Sequence, residues 1–191
     1  MFFVSLNIMR SQYFSYILFI QVIFACGQAD ISISTSAHKN YTIELIVPDL
    51  KIPWGMAFLP DNSLLITEKE GLIIHFKNGE KTNIKNVPTT YLRGQGGLMG
   101  IAIHPNFKDN NLIYFTQSSS VGSDKSGGNT ALYRAVLQEN ALQDISLLYK
   151  AEPNTKKSVH FGSRIAFDND GYLYFTIGDR GNRDVNPQDL T

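Results

Sequence analysis

Three stretches of the chain share one pattern of apolar and polar positions. Each runs through an apolar residue, an alanine and a second apolar residue, then a turn rich in Pro, Asp and Asn, then an apolar run that ends in threonine. The stretches are WGMAFLPDNSLLIT (54–67), GIAIHPNFKDNNLIYFT (100–116) and RIAFDNDGYLYFT (164–176). Short apolar runs bounded by turn residues are typical of buried strands. The pattern therefore predicts a repeated strand–turn–strand unit.

The spacing of the alanines in these stretches predicts a β-propeller. Ala57 and Ala102 lie 45 residues apart, which matches a four-stranded blade, and Ala166 follows after a further 64 residues. The longer interval contains SSSVGSDKSGGNT (118–130), a polar and glycine-rich insertion that we predict to be a mobile loop. An ordinary β-sandwich with chance similarity between the stretches is the alternative architecture.

The rest of each unit also predicts strands. GLIIHFKNGEKTNI (71–84) places an Asn-Gly pair between two runs, which is a strong hairpin signal. ALYRAVLQ (131–138) alternates apolar and polar residues, and ALQDISLLYKAEP (141–153) suits a strand or a short helix. We favour a strand there because the period of the repeat requires one. The prediction is an all-β protein with about three propeller blades over residues 43–191, preceded by a leader over 30–42.

A ring of about three blades is too small to close, because propellers typically contain four to eight blades. The sequence also stops in a polar stretch, NPQDLT (186–191), with no closing strand. We therefore expect the chain to be the N-terminal part of a longer protein. The alternative is that copies assemble into a ring, for example as a homodimer.

The first 29 residues predict a secretory signal peptide. They carry one charge, Arg10, then an apolar run over 13–24, then small residues. The protein is therefore expected to be periplasmic or secreted, and an uncleaved anchor is the alternative. The sequence IFAC resembles a lipoprotein cleavage box, which would make Cys26 a lipid-anchored first residue; cleavage after Ala29 is the other option. Cys26 is the only cysteine, so no disulfide stabilises the mature domain.

Charge and metal-ligand patterns exclude several classes of function. The net charge is zero and the pI is about 6.9, so no basic surface for nucleic acid is expected. The four histidines have no metal-ligand spacing. DNDG (168–171) lacks the calcium-loop pattern, because Ala166 and Ile177 occupy places where that pattern has acidic residues. We predict a tight turn there, and no metal site in this chain.

Two polar residues hold equivalent places in successive units. Gln95 precedes Ala102 by seven residues, and His160 precedes Ala166 by six. If the alanine-bearing strand is innermost, both side chains approach the mouth of the central channel, where loops on a rigid scaffold commonly bind ligands. The glycines of RGQGG (93–97) let backbone or ligand come close to Gln95. A histidine at this place suits general-base catalysis, although a strand-end histidine bonded to a loop carbonyl is the commoner case.

The other polar candidates carry less information. His104, in a turn before Pro105, is interpreted as structural, and neither His75 nor His38 has a recognisable partner in the sequence. GDRGNRD (178–184) either lines a pocket or forms a solvated turn.

Four stretches resemble the soluble, quinoprotein-type glucose and aldose sugar dehydrogenases. They are PWGMAFLPDNSLLITEKEGLI, GQGGLMGIAIHPNF, HFGSRIAFDNDGYLYFTIGDRG and NPQDL, and they follow the family's order from about residue 43 to the end. HFGSR followed by YFTIGD is the more specific part. The resemblance implies a six-bladed propeller that holds pyrroloquinoline quinone (PQQ) over the channel mouth.

The resemblance also implies roles for individual residues. His160 matches the histidine that takes the proton from the anomeric hydroxyl of the sugar, while a hydride passes to the quinone. Gln95 matches a glutamine near cofactor and substrate. Arg164, Asp179 and Arg180, within the matching stretches, are further candidates for cofactor binding. The expected reaction is oxidation of an aldose to a lactone, with an external electron acceptor.

Two departures from the family limit these expectations. Val159 stands before His160 where the glucose enzymes have an acidic residue, so any carboxylate that orients the imidazole must come from elsewhere. The family's calcium ligands and most cationic cofactor contacts are expected beyond residue 191. We therefore predict that the chain is inactive alone and that the full-length parent is the enzyme. The alternatives are a calcium-dependent lactonase-type propeller and a non-catalytic secreted propeller that binds a protein or glycan.

Overall fold

The computed structural model describes residues 42–120 and 127–188. Three antiparallel sheets follow one another along this part of the chain. The first sheet contains β1 (Pro53–Phe58), β2 (Leu64–Glu68), β3 (Leu72–Lys77) and β4 (Glu80–Asn83); the second contains β5 (Leu98–Ile103), β6 (Leu112–Ser119), β7 (Asn129–Gln138) and β8 (Ala141–Lys150); the third contains β9 (Gly162–Phe167) and β10 (Leu173–Ile177). A one-turn helix, α1 (Phe107–Asn110), joins β5 to β6, and a 3-10 turn covers Asn186–Gln188.

The sheets confirm the repeat that the alanines predicted. Strands within each sheet are hydrogen-bonded in sequence order, as in propeller blades, and the sandwich alternative is wrong. Each alanine lies on the first strand of its blade, opposite an apolar residue of the second strand. Ala57 pairs with Leu65, Ala102 with Tyr114 and Ala166 with Tyr174.

The local turn and strand predictions are also confirmed. Asn78 and Gly79 connect β3 to β4 with φ angles of 53° and 84°, and two consecutive positive φ values are typical of a type I′ hairpin turn. Residues 141–150 form a strand rather than a helix. The ends of the predicted insertion belong to β6 and β7, and residues 121–126 lie outside the described residues. The predicted signal peptide, Cys26 and His38 lie outside them too.

The first strands of the three blades lie side by side. β1 packs against β5, and β5 packs against β9. The core between the first two blades is apolar and includes Leu65, Ile73, Leu98 and Phe115, all of them fully buried. This packing gives the loops that precede β5 and β9 a rigid base. No helix in the described residues has the length and hydropathy needed to cross a membrane.

A threonine hydroxyl connects each blade to the next. Thr67 Oγ1 accepts a hydrogen bond from Gly55 N, at 2.9 Å, and donates one to Met99 O in the second blade, at 2.5 Å. Thr116 repeats this arrangement with Gly100 N and with Ser163 O in the third blade, at 2.9 and 2.8 Å. The threonines that end the first two apolar runs therefore join neighbouring blades, whereas Thr176, at the end of the third run, accepts a hydrogen bond from Arg164 N within its own blade.

Large apolar side chains are exposed on the two outer blades. Met56 and Phe58 on β1 are 62% and 60% exposed, and Tyr174 on β10 is 60% exposed. The first strand of the middle blade differs, because Ile101, which holds the same place on β5 as Met56 on β1, is buried; the exposed apolar side chains of that blade, such as Leu148 and Tyr149, lie on its last strand, β8. The exposure follows from position in the row of blades rather than from a change in residue type.

Candidate active site

The loops before β5 and β9 meet as the register predicted. The side-chain Oε1 of Gln95 accepts a hydrogen bond from the backbone N of His160, at 2.8 Å. The backbone N of Gln95 donates to Ser158 O, at 2.9 Å. Gln95 and His160 are therefore direct neighbours at the entry to adjacent innermost strands.

The glycines beside Gln95 permit this close approach. Gly94 has a φ of 57°, and a Cβ there would overlap with the carbonyl oxygen of Ser158. A Cβ on Gly97 would overlap with the carbonyl oxygen of Lys69. At these two positions glycine is needed because another stretch of backbone passes close by. Close approach of backbone, rather than of a ligand, therefore explains these two glycines.

A carboxylate binds the imidazole of His160. Asp179 follows β10, and its Oδ1 lies 2.9 Å from His160 Nδ1. The same oxygen accepts the backbone N–H of Gly181, at 2.6 Å. These two contacts, with the Gly181 N–H as the larger effect, hold the pKa of Asp179 below its ordinary value, so the group is a carboxylate at neutral pH. Position 159 has no acidic side chain, so the carboxylate that orients the imidazole is supplied by Asp179, 19 residues after His160.

The contact fixes which nitrogen of His160 is free. A carboxylate oxygen only accepts, so Nδ1 carries a hydrogen, and in the neutral form of the imidazole Nε2 carries the lone pair. Nε2 has no hydrogen-bond partner among residues 42–120 and 127–188, and the side chain is 58% exposed. The alternative of a histidine bonded to a loop carbonyl is wrong, because the partner is a carboxylate. The arrangement can accept a proton at Nε2 from a bound molecule.

Arg164 and Arg180 lie in contrasting surroundings. Arg164, on β9, is exposed, and its backbone N donates to Thr176 Oγ1. Arg180 is only 3% exposed, and its guanidinium donates to the carbonyls of Gly178 and Glu152 at 3.0 and 3.4 Å. Burial lowers the pKa of Arg180. A cofactor role stays a prediction for both residues.

The loop GDRGNRD (178–184) is partly buried and partly solvated. One part of it lines a cavity and the other part is solvent-exposed, so the two interpretations of this loop each hold for one part. Arg180 lines a cavity of about 200 Å³ together with Tyr149, Ile177 and Asn186. Arg183 and Asp184 are exposed.

The structure assigns the other predicted positions to structural roles. His104 packs against Tyr114 and Phe167 and accepts from Asn106 N at Nδ1, which confirms its structural interpretation. His75 has partners that are not recognisable in the sequence, because its ring bonds Ser63 and Asn140, at 2.9 and 3.2 Å. These partners are distant in sequence or in another blade, so no local pattern shows them.

The predicted turn at DNDG (168–171) is present. Asp168 Oδ1 accepts the backbone N–H groups of Asp170 and Tyr172, and Gly171 has a φ of 88°. Within the described part of the chain, no group of three or more His, Cys, Asp or Glu residues is placed to hold a metal ion.

Comparisons with known proteins agree with this fold. The family model described as Glucose / Sorbosone dehydrogenase matches residues 50–191. Aldose sugar dehydrogenase YliI of Escherichia coli is 31% identical over 159 residues, which cover 81% of this chain and 42% of that protein. Quinoprotein glucose dehydrogenase B of Acinetobacter calcoaceticus is 27% identical over 177 residues, or 85% of this chain and 37% of that protein.

A solved structure agrees as well. The PQQ-bound form of aldose sugar dehydrogenase from Streptomyces coelicolor superposes with a TM-score of 0.67 at 26% identity, over 79% of this chain and 45% of that one. The chain thus spans less than half the length of these relatives. The resemblance seen in the four sequence stretches is confirmed along most of the described chain, and the chain belongs to the glucose/sorbosone dehydrogenase family.

Proposed function

We propose that the chain supplies the catalytic base of a PQQ-dependent dehydrogenase that oxidises aldose sugars to lactones. The observation that carries this proposal is the imidazole of His160, bonded at Nδ1 to Asp179 and open at Nε2. Because the chain spans less than half the length of its relatives, the activity is proposed for a protein of their full length.

The proposed role of His160 is proton removal. Nε2 takes the proton of the anomeric hydroxyl as the C1–H bond of the sugar breaks and the C1=O bond of the lactone forms. The imidazole becomes positively charged, and the carboxylate of Asp179 stabilises that charge. Asp179 remains ionised throughout, because its pKa lies below the ordinary value.

The residues present fit PQQ as hydrogen-bond donors. PQQ carries carboxylates and quinone carbonyls, which accept hydrogen bonds. Arg164 offers an exposed cation near the entry of β9, and the Nε2 amide group of Gln95 is not used by His160. When bound, PQQ would accept the hydride equivalent from the sugar carbon. We propose that calcium and further cationic contacts come from the part of the relatives' length that this chain does not span.

The test compares the chain with a chimaera. Residues 50–191 would replace the matching part of E. coli YliI, and both proteins would be assayed for dye reduction with PQQ, calcium and a panel of aldoses. We expect the chimaera to be active and the 191-residue chain to be inactive. His160→Ala should lower kcat of the chimaera by about 100-fold or more, which is the usual contribution of a general base.

A matched histidine variant serves as the control. His75→Ala changes a histidine on β3 and should leave kcat within about twofold, as expected for a site without chemistry. A folded, cofactor-binding chimaera that keeps full activity without His160 would contradict the proposed base. A folded chimaera that neither binds PQQ nor oxidises sugar would leave a secreted propeller that binds a protein or glycan.

Location is a separate proposal. We propose that the N-terminal segment exports the protein, with Cys26 as the lipid-anchored residue or with cleavage after Ala29. Mass spectrometry of the exported protein distinguishes the two, because only the first gives a diacylglyceryl cysteine at the new N-terminus. An intact Met1 in exported material would show an uncleaved anchor instead.

A further inference from the structure

The backbone beside the proposed base has an unfavourable conformation. Within residues 158–163, four residues have positive φ: Ser158 at 58°, His160 at 54°, Gly162 at 80° and Ser163 at 120°. Three of these are not glycine, and side chains with a Cβ rarely adopt such values. Clustered strain of this kind persists only where the surroundings fix it.

Gln95 fixes this segment at two points on either side of Val159. Its backbone N donates to Ser158 O, and its side-chain Oε1 accepts the His160 N–H. The His160 N–H has no other acceptor among the described residues. Without the carboxamide oxygen, this donor would lose its partner beside an already strained φ angle.

The third blade holds the other side of His160. Arg180 N donates to His160 O, at 3.0 Å, and Asp179 binds Nδ1. The N–H, the carbonyl and Nδ1 of His160 are therefore all bonded, and only Nε2 remains. The bonds to the carbonyl and to Nδ1 come from the loop after β10 in the third blade, whereas Gln95, which binds the N–H, precedes β5 of the second blade.

We infer that Gln95 is a positioning residue: its carboxamide oxygen holds His160 in the left-handed conformation that aims Nε2 outward. This goes beyond cofactor binding, because the part of Gln95 involved is the oxygen rather than the amide NH2. That His160 is a catalytic base rests on the proposed function. That the Gln95 oxygen holds the backbone of His160 does not, because it is argued from the hydrogen bonds alone.

The test uses the 191-residue chain labelled with 15N, without cofactor. Hydrogen exchange of the His160 amide is measured together with the imidazole 1H–15N spectrum in three variants. Gln95→Ala removes the acceptor, Gln95→Glu keeps an acceptor oxygen but removes the amide donor, and Gln138→Ala changes an exposed glutamine at the end of β7.

Gln95→Ala should raise the exchange rate of the His160 amide about tenfold, as expected for loss of one hydrogen bond. It should also remove the single Nδ1–H form of the His160 imidazole. Gln95→Glu should retain the slow exchange of the His160 amide and the single Nδ1–H form of its imidazole. Gln138→Ala should change neither of these two properties. His75 and His104 provide unchanged reference signals in the same spectra.

Unchanged exchange and an unchanged imidazole signal in Gln95→Ala would overturn the inference. So would changes spread over all three blades, because they would indicate a general loss of stability. The result is independent of sugar oxidation. An inactive chimaera would overturn the proposed function, but it would not affect the exchange and imidazole measurements on His160. A chimaera whose activity needs His160 but not the Gln95 oxygen would overturn only the positioning role of Gln95.

Discussion

At the scale of single residues, the site depends on one carboxylate that sequence reasoning placed in a different role. Asp179 was a cofactor-binding candidate, yet it bonds His160 Nδ1. Regular antiparallel pairing, continued from Tyr174 opposite Ala166, would bring Arg180 opposite His160. The register shifts by one residue between Phe175 and Ile177, so that Ile177 pairs with Gly162. Beyond the strands Arg180 N bonds His160 O, and Asp179 reaches the imidazole through its side chain. A single-residue irregularity of this kind leaves no pattern in the sequence.

The pKa of Asp179 gives a prediction at this scale. Its folded value is lowered, so its interactions stabilise the fold above the unfolded pKa and lose this effect as pH falls through the folded pKa. In His160→Ala the pKa of Asp179 should rise but stay below the ordinary value, because the Gly181 N–H remains. Carboxyl 13C NMR titration measures this change.

The same titration contains its own reference. Lys77 and Ser63 lower the pKa of Asp61 in the first blade, and that pKa should not respond to His160→Ala. An Asp179 pKa that ignores the loss of the imidazole would show that the contact has no electrostatic effect.

At the scale of elements, the sequence predicted the strands well because their signals are local. The Asn-Gly pair determines the β3–β4 hairpin, and the three alanines mark the first strand of each blade. The bonds between blades were not predicted. They join a side chain to a backbone carbonyl about 32 or 47 residues away, and a carbonyl has no residue identity that a pattern could reveal.

These bonds predict a stability cost. Thr67→Val and Thr116→Val keep the side-chain volume but leave a buried carbonyl and a backbone N–H without their partner; this N–H is half-buried at Gly55 and buried at Gly100. Each should lower the free energy of unfolding by about 1–3 kcal/mol. Urea denaturation measures the effect.

Thr82→Val is the matched control, because Thr82 is exposed on β4 and should change stability by less than about 0.5 kcal/mol. An equal loss of stability in all three threonine variants would show that the inter-blade hydrogen bonds of Thr67 and Thr116 make no specific contribution to the free energy of unfolding.

At the scale of the whole molecule, equivalent positions differ in exposure from blade to blade. Met56 on β1 is exposed, whereas Ile101 at the same place on β5 is buried. Contiguous exposed apolar surface favours association. Met56→Lys should therefore leave the fold unchanged. It should reduce the binding of an apolar dye to the exposed surface, and it should reduce self-association of the chain. Circular dichroism, ANS fluorescence and light scattering measure these three properties.

Ile101→Lys is the contrasting variant, because it buries a charge without a partner and should unfold the protein. A chain that tolerates lysine at both positions would contradict the exposure difference between the blades.

The hydroxyl bonds between blades also have a consequence for cooperativity. Each threonine binds its own blade and the next one, so local opening of a blade breaks a bond that its neighbour uses. Coupling then extends from one neighbour to the next, as in a linear array of interacting units. Opening of β5 and β6 would release β9 at Ser163 O, three residues from His160. The mobility of the proposed base is thus tied to the stability of a blade that does not carry it.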